Sequence, residues 1–292
     1  MCIRDSSWGE QPKTSTNLIK LNTNENPYPP SPNVIRALQT LDTEGLRTYP
    51  NPLADELREE VAKLNRIADE NVVITNGGDE GLRLSLTTFV DPGETVCFAD
   101  PSYSLYPVLA AIQGANIKPV AYSDGWEIPE TFPEKIKSFD AKMSYLVNPH
   151  APSGNFYSLG ALDKIAQSAP GVLLIDEAYA DFIDPSLNYQ SADLLKKYDN
   201  VLILRTFSKG YSLAGIRLGY LMGNEALISP IISKTRDSYN VGSIQQRLGT
   251  AAITDQEYSQ KIWKKIRENR THLQDRLTAL GLAINPSQSN FL

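Results

Sequence analysis

Between residues 72 and 222, short apolar runs rich in β-branched residues alternate with stretches of helical spacing. That alternation constrains the fold more than any single residue does. The candidate strands are Val72–Thr75, Thr95–Ala99, Ile117–Tyr122, Ser144–Val147, Val172–Ile175, Val201–Leu204 and Leu218–Met222. Helical patterns fall between most of them, near residues 79–90, 103–113, 159–168 and 225–233. A strand that is apolar at every position needs cover on both faces, and interleaved helices supply it. The expected class is α/β.

Outside this block the pattern changes. Residues 1–17 are polar and patternless, and are expected to be an unstructured lead-in. An extended arm follows, in which Pro27, Pro29, Pro30 and Pro32 forbid a helix. Val34, Ile35, Leu38 and Leu41 then recur at helical spacing, and a second helix is expected from about Leu53 to Leu64. From Asp255 to Leu280, the residues Tyr258, Ile262, Ile266, Leu273, Leu277 and Leu280 mark the apolar stripe of a long helix, with Gly281 as its cap. Leu282–Ile284 reads as the start of a strand. The expected division is an arm with the first helix over 18–48, a large domain over 49–254, and over 255–292 the start of a small C-terminal domain that continues beyond Leu292. The exposed part of the last helical stripe would then favour aggregation.

Composition removes several function classes. The formal net charge is −6, which disfavours a binder of nucleic-acid backbones. The two cysteines, Cys2 and Cys97, have no metal-ligand spacing, and two histidines do not make a multi-histidine centre, so no metal is expected. No apolar run approaches bilayer length, and a reduced, cytoplasmic setting is expected.

Five segments carry candidate chemistry. In Thr206-Phe207-Ser208-Lys209-Gly210, a lysine stands in a small hydroxyl-rich loop after a buried strand, and Arg217 follows eight positions later. A lysine there is either a solvated turn residue or a partly desolvated nucleophile of lowered pKa. In Val172–Tyr179, Asp176 closes an apolar strand, where open α/β sheets place site residues; alone it also reads as a helix-capping aspartate. Magnesium ligation fails for want of a glycine-rich phosphate loop ending in lysine. In Ile74–Gly81, a strand runs through two glycines into a helix whose first N–H groups, at Gly78 and Asp79, suit a phosphate; a plain turn is the alternative. Tyr103, after the strand ending at Ala99, offers a face to a planar ring or simply packs. Asn148-Pro149-His150-Ala151-Pro152-Ser153-Gly154 is sufficiently explained as a turn.

In their order and spacing these segments resemble the fold-type I aminotransferases. The arm Leu21–Tyr28 and the pair Tyr49-Pro50 narrow the resemblance to the histidinol-phosphate aminotransferase family, from about residue 18 onward. The resemblance implies a large domain with a mixed, mostly parallel sheet, an incomplete small C-terminal domain, and pyridoxal 5'-phosphate as cofactor. It implies that Lys209 is the Schiff-base lysine and proton shuttle, that Asp176 pairs with the pyridine nitrogen, and that Tyr179 donates to the ring oxygen. Tyr103 would stack on the ring, and Gly78, Asp79, Ser208 and Arg217 would hold the phosphate. Tyr49 would reach the phosphate of a neighbouring subunit, which makes the expected state a homodimer.

The implied reaction exchanges an amino group between histidinol phosphate and glutamate in histidine biosynthesis. Aromatic aminotransferases and threonine-phosphate decarboxylases would share these residues, and a non-catalytic sensor domain is a remoter alternative. Two departures stand out. The family turn carries an asparagine where this chain has Ala151, and Ser153 replaces a threonine; the missing contact is lost or supplied by a neighbour such as His150. The family's substrate-anchoring arginine would lie after Leu292, so a chain ending there is expected to bind substrate poorly.

Overall fold

The computed structural model describes residues 19–292, and the lead-in expected over 1–17 lies outside the described residues. All seven expected strands form: β1 (Val72–Thr75), β2 (Thr95–Asp100), β3 (Asn116–Ala121), β4 (Met143–Val147), β5 (Val172–Asp176), β6 (Val201–Thr206) and β7 (Gly219–Gly223). They make one sheet in the order β1-β7-β6-β5-β4-β2-β3. β7 is antiparallel to both β1 and β6, and every other pair is parallel, so the sheet is mixed and mostly parallel. The reversal has a local cause. Parallel neighbours need a long crossover, which residues 177–200 supply between β5 and β6, whereas the shorter loop over residues 207–218 suits an antiparallel turn-back.

The helices are α1 (Pro32–Gln39), α2 (Asp55–Asn65), α3 (Gly78–Phe89), α4 (Leu105–Gln113), α5 (Phe132–Ser138), α6 (Leu159–Ser168), α7 (Glu225–Pro230), α8 (Ser243–Thr254) and α9 (Gln256–Ala279). Period-two alternation in the strands builds two cores. Leu173 and Ile175 of β5 and Val201 and Ile203 of β6 face Leu57, Phe132, Leu162 and Leu248 from α2, α5, α6 and α8. Val172, Leu174, Leu202 and Leu204 face Leu82, Leu109 and Ile228 from α3, α4 and α7. Each such side chain contributes about 1.5–3 kcal/mol by leaving water. β3 is the exception: at the sheet edge, it carries Lys118 and Pro119 and is mostly unburied, which discourages pairing with a further strand.

Three features differ from the sequence reading. Helices α5 and α8 were not anticipated. The stretch expected as one helix to residue 233 gives way after Pro230 to a π turn, Ile231–Thr235. Leu282–Ile284 forms no strand.

The long helix α9 is as expected, and Gly281 does cap it. At φ +84 it donates its N–H to Thr278 O at 2.9 Å, while Leu282 N–H reaches Leu277 O at 3.2 Å. Ile262 and Ile266 pack on Phe182, whereas Leu273 and Leu280 are exposed. The tail after Gly281 folds back over the rest of the chain. Gln288 N–H donates to Gly154 O at 2.8 Å, and Arg270 holds the Ser289 carbonyl at 2.7 Å. No helix among the described residues is long and apolar enough to cross a membrane.

Candidate active site

β1 and β6 both run antiparallel to β7, so the carboxyl ends of β1, β2, β4, β5 and β6 lie on one side of the sheet, with the amino end of β7. That is the side where open α/β sheets bind ligands. A cavity of about 290 Å³ opens there. Among its lining residues are Gly78 and Asp79 after β1, Tyr103 after β2, Asp176 at the end of β5 and Tyr179 after it, and Ser208, Lys209 and Arg217 between β6 and β7. The sheet thus brings together residues up to 139 positions apart (217 − 78).

One end of the cavity gathers groups whose chemistry suits an anion. Gly77 is the N-cap of α3, so the helix presents its first N–H groups and its positive dipole end. Gly77 has φ 81 and ψ 172, a region open essentially to glycine alone. A Cβ there would stand 2.8 Å from Arg217 Nη2. Arg217 meets Ser208 Oγ at 3.3 Å and Asp79 Oδ2 at 3.3 Å. The Arg217–Asp79 pair is about half exposed, so it is weak and easily exchanged for a better anion. Asp79 lies in the first turn of α3 rather than at its cap, and also accepts from Tyr103 OH at 3.1 Å.

At the other end Asp176 is buried at the tip of β5. Its Oδ2 accepts from Tyr106 OH at 2.8 Å and its Oδ1 from Ala178 N–H at 3.1 Å. Burial pushes its carboxyl up to about 6, against those two hydrogen bonds. A buried carboxylate served only by neutral donors is one that a cationic ligand atom would stabilise.

Lys209 lies between the two ends. Burial lowers its pKa, and neighbouring Arg217 adds to that, while Glu25 and Asp79 oppose it. Its Nζ is held by the carbonyls of Thr23 and Asn24 at 3.0 and 3.1 Å and lies 5.7 Å from the centre of the Tyr179 ring. Tyr179 stands edge-on to Phe291 at 5.1 Å, and burial raises its pKa.

Tyr49 is outside this cavity: it is 79% exposed and stacks on Tyr239 with ring centres 4.4 Å apart. His150 does not stand in for the asparagine of the resemblance. It is buried between Ser153 Oγ at 2.8 Å and Pro101 O at 3.1 Å, and burial pushes its pKa down to about 4. Ala151 lines the cavity in that place. Sequence reasoning missed Thr23 and Glu25, which the arm brings to the cavity wall, and Tyr106 beneath it. Tyr106 lies three positions after the candidate Tyr103, and the arm carried part of the family resemblance, but neither signal gave these residues a role.

The family model for aminotransferase class I and II matches residues 16–292. Histidinol-phosphate aminotransferase 1 of Trichormus variabilis is 40% identical over 284 residues, covering 97% of this chain and 79% of that protein. The histidinol-phosphate aminotransferase of Geotalea daltonii is 41% identical, with the same two shares of 97% and 79%. Among solved structures, histidinol-phosphate aminotransferase from Sinorhizobium meliloti, in complex with pyridoxal-5'-phosphate, matches with a TM-score of 0.85 at 27% identity. That match covers 91% of this chain and 72% of the other. The chain belongs to the class I and II aminotransferases, within their histidinol-phosphate aminotransferase family.

Proposed function

We propose that this chain is a pyridoxal-phosphate-dependent aminotransferase that exchanges an amino group between histidinol phosphate and 2-oxoglutarate in histidine biosynthesis. The observation that carries the reading is the convergence of Lys209, Asp176, Tyr179 and Arg217 in one cavity at the carboxyl end of the sheet. The cavity suits the cofactor at both ends. The Gly77–Arg217 cradle has no room for a Cβ beside the guanidinium, and the buried Asp176 carboxylate lacks a cationic partner among its hydrogen-bond donors.

Bound there, pyridoxal phosphate would supply a protonated ring that accepts the electron pair released at the substrate Cα. The remaining work belongs to the chain. Arg217, Ser208 and the N–H groups of Gly78 and Asp79 would hold the phosphate. Asp176 would keep a proton on the pyridine nitrogen. Tyr103 would cover one face of the ring, and Tyr179 would donate to its phenolic oxygen. Lys209, with a pKa lowered by burial, would carry the cofactor in the resting enzyme. Released as an amine, it would take the proton from the substrate Cα and return it at the C4′ position.

The reading extends to a cytoplasmic homodimer in which Tyr49 crosses to the neighbouring subunit's phosphate. The exposed Tyr49–Tyr239 stack is the surface that supports this. Residues 255–292 are proposed to open a second, smaller domain. Loaded protein given histidinol phosphate and 2-oxoglutarate is expected to form glutamate, and to do so faster than with phenylalanine or tyrosine as donor. Carbon dioxide release from threonine phosphate, without glutamate formation, would contradict the reading in favour of a decarboxylase.

A further inference from the structure

Resting on that reading of the cavity, we propose that Tyr106 is a positioning residue for Asp176: its buried phenol holds the carboxylate ionised and aimed at the ligand. Tyr106 is fully buried beneath the cavity. Its hydroxyl is 2.8 Å from Asp176 Oδ2, and the other carboxylate oxygen is taken by Ala178 N–H. Each oxygen therefore has one donor from its own side, which fixes the plane of the carboxylate.

The phenol is itself held rigidly. Its ring lies parallel to Tyr145 at 4.6 Å and 5°, and meets Tyr103 edge-on at 5.7 Å and 90°. One short segment, Tyr103 to Tyr106, thus touches both the ring-stacking wall and the acid end of the cavity.

A carboxylate taken out of water tends to become neutral, and a hydrogen bond donated to its charged form opposes that. The other titratable groups that act on Asp176 do not help. Asp79 from α3 and Glu177, next on the chain, are both acids that push its pKa up. Tyr103, Tyr179, Lys209 and Arg217 line the same cavity, and none of them donates a hydrogen bond to Asp176. Burial and the Asp176 charge raise the Tyr106 pKa, so the phenol keeps its proton and remains a donor. Tyr106 OH and the Ala178 N–H are the two donors whose hydrogen bonds favour the ionised form.

The test is Tyr106→Phe, which keeps the stacked ring and removes the donor. Tyr145→Phe serves as the control, because the Tyr145 hydroxyl has no hydrogen-bond partner among the described residues. In cofactor-free protein carrying ¹³C-carboxyl aspartate, the Asp176 signal is assigned by its loss in Asp176→Asn. Its titration should move up by about one pH unit in Tyr106→Phe and stay in place in Tyr145→Phe. The pyridoxal phosphate dissociation constant should rise about tenfold in the first variant only.

Difluorotyrosine at position 106, a stronger donor, should move the titration down, and it decides the matter if Tyr106→Phe does not fold. An unmoved titration, or an equal movement in both phenylalanine variants, would overturn the proposal. Absence of any Lys209-dependent visible band in unaltered protein would instead overturn the reading of the cavity. The titration would still decide the Tyr106–Asp176 link.

Discussion

Lys209 Nζ lies 3.0 Å from the carbonyl oxygen of Thr23, a residue 186 positions earlier in the chain. The N-terminal arm is therefore part of the cavity wall, and it also fixes the lysine's own backbone. Asn26 Nδ2 donates to Lys209 O at 2.9 Å and to Gly210 O at 3.4 Å, while Trp263 of α9 donates to Gly210 O at 2.9 Å.

Removing the arm's amide tests whether that tether matters. Asn26→Ala leaves the lysine and the cavity chemistry in place. It should weaken pyridoxal phosphate binding about five- to tenfold, the worth of one partly buried hydrogen bond. Equilibrium dialysis measures this, and unchanged affinity would place the arm outside the binding machinery.

Arg217→Gln removes the charge and the planar fork from the anion end. Affinity for pyridoxal phosphate should fall about 10- to 100-fold, and affinity for pyridoxal, which lacks the phosphate, should stay the same. Equal losses for both compounds would mean that Arg217 shapes the cavity rather than holding the phosphate.

Gly77→Ala places a methyl group 2.8 Å from Arg217 Nη2 on a backbone of φ 81 and ψ 172. The strain should cost about 1–3 kcal/mol of stability in urea unfolding. Phosphate affinity should fall with it, because either Arg217 or the start of α3 must move.

Asp176 gives the cofactor-free protein a pH signature. Its folded pKa of about 6 lies above the ordinary 3.8, so between those values the folded state binds the proton more tightly than the unfolded chain. The associated stability is present below 3.8 and is lost as pH rises through about 6. Asp181, also raised by burial to about 6, acts in the same direction. Asp176→Asn should therefore gain on the unaltered protein as pH rises across this window, by an amount on the order of 3 kcal/mol, with no further gain above pH ~7. Urea unfolding at a series of pH values measures the difference, and a flat difference would show that burial does not raise the Asp176 pKa.

Much of the fold was legible because the sheet is buried on both faces. β1, β4, β5 and β7 are buried at every residue, and such runs stand out without any alternation to decode. The same property hides strand order, since a run like Val172–Asp176 carries no mark of its neighbours. The antiparallel β7 was foreshadowed only by the short link between Val201–Leu204 and Leu218–Met222. α5 is short and begins Phe-Pro, and α8 carries Gly249 among polar residues, so neither showed a clear stripe. Leu282–Ile284 has the composition of a strand but pairs with no strand among the described residues. In the candidate site, Asp176 could be picked out because it closes an apolar strand, and Lys209 and Arg217 because they stand in the loop between two such strands. Tyr106 could not, because a buried aromatic on a helix looks the same whether or not its hydroxyl meets a carboxylate.

The most direct test of the account is the visible absorption spectrum of the purified chain with pyridoxal phosphate, beside Lys209→Ala. The unaltered chain should show the band of an imine between the cofactor aldehyde and a lysine, which Lys209→Ala abolishes, leaving at most the spectrum of the free aldehyde. A folded, unaltered chain without the band, or a band that survives in Lys209→Ala, would contradict the account.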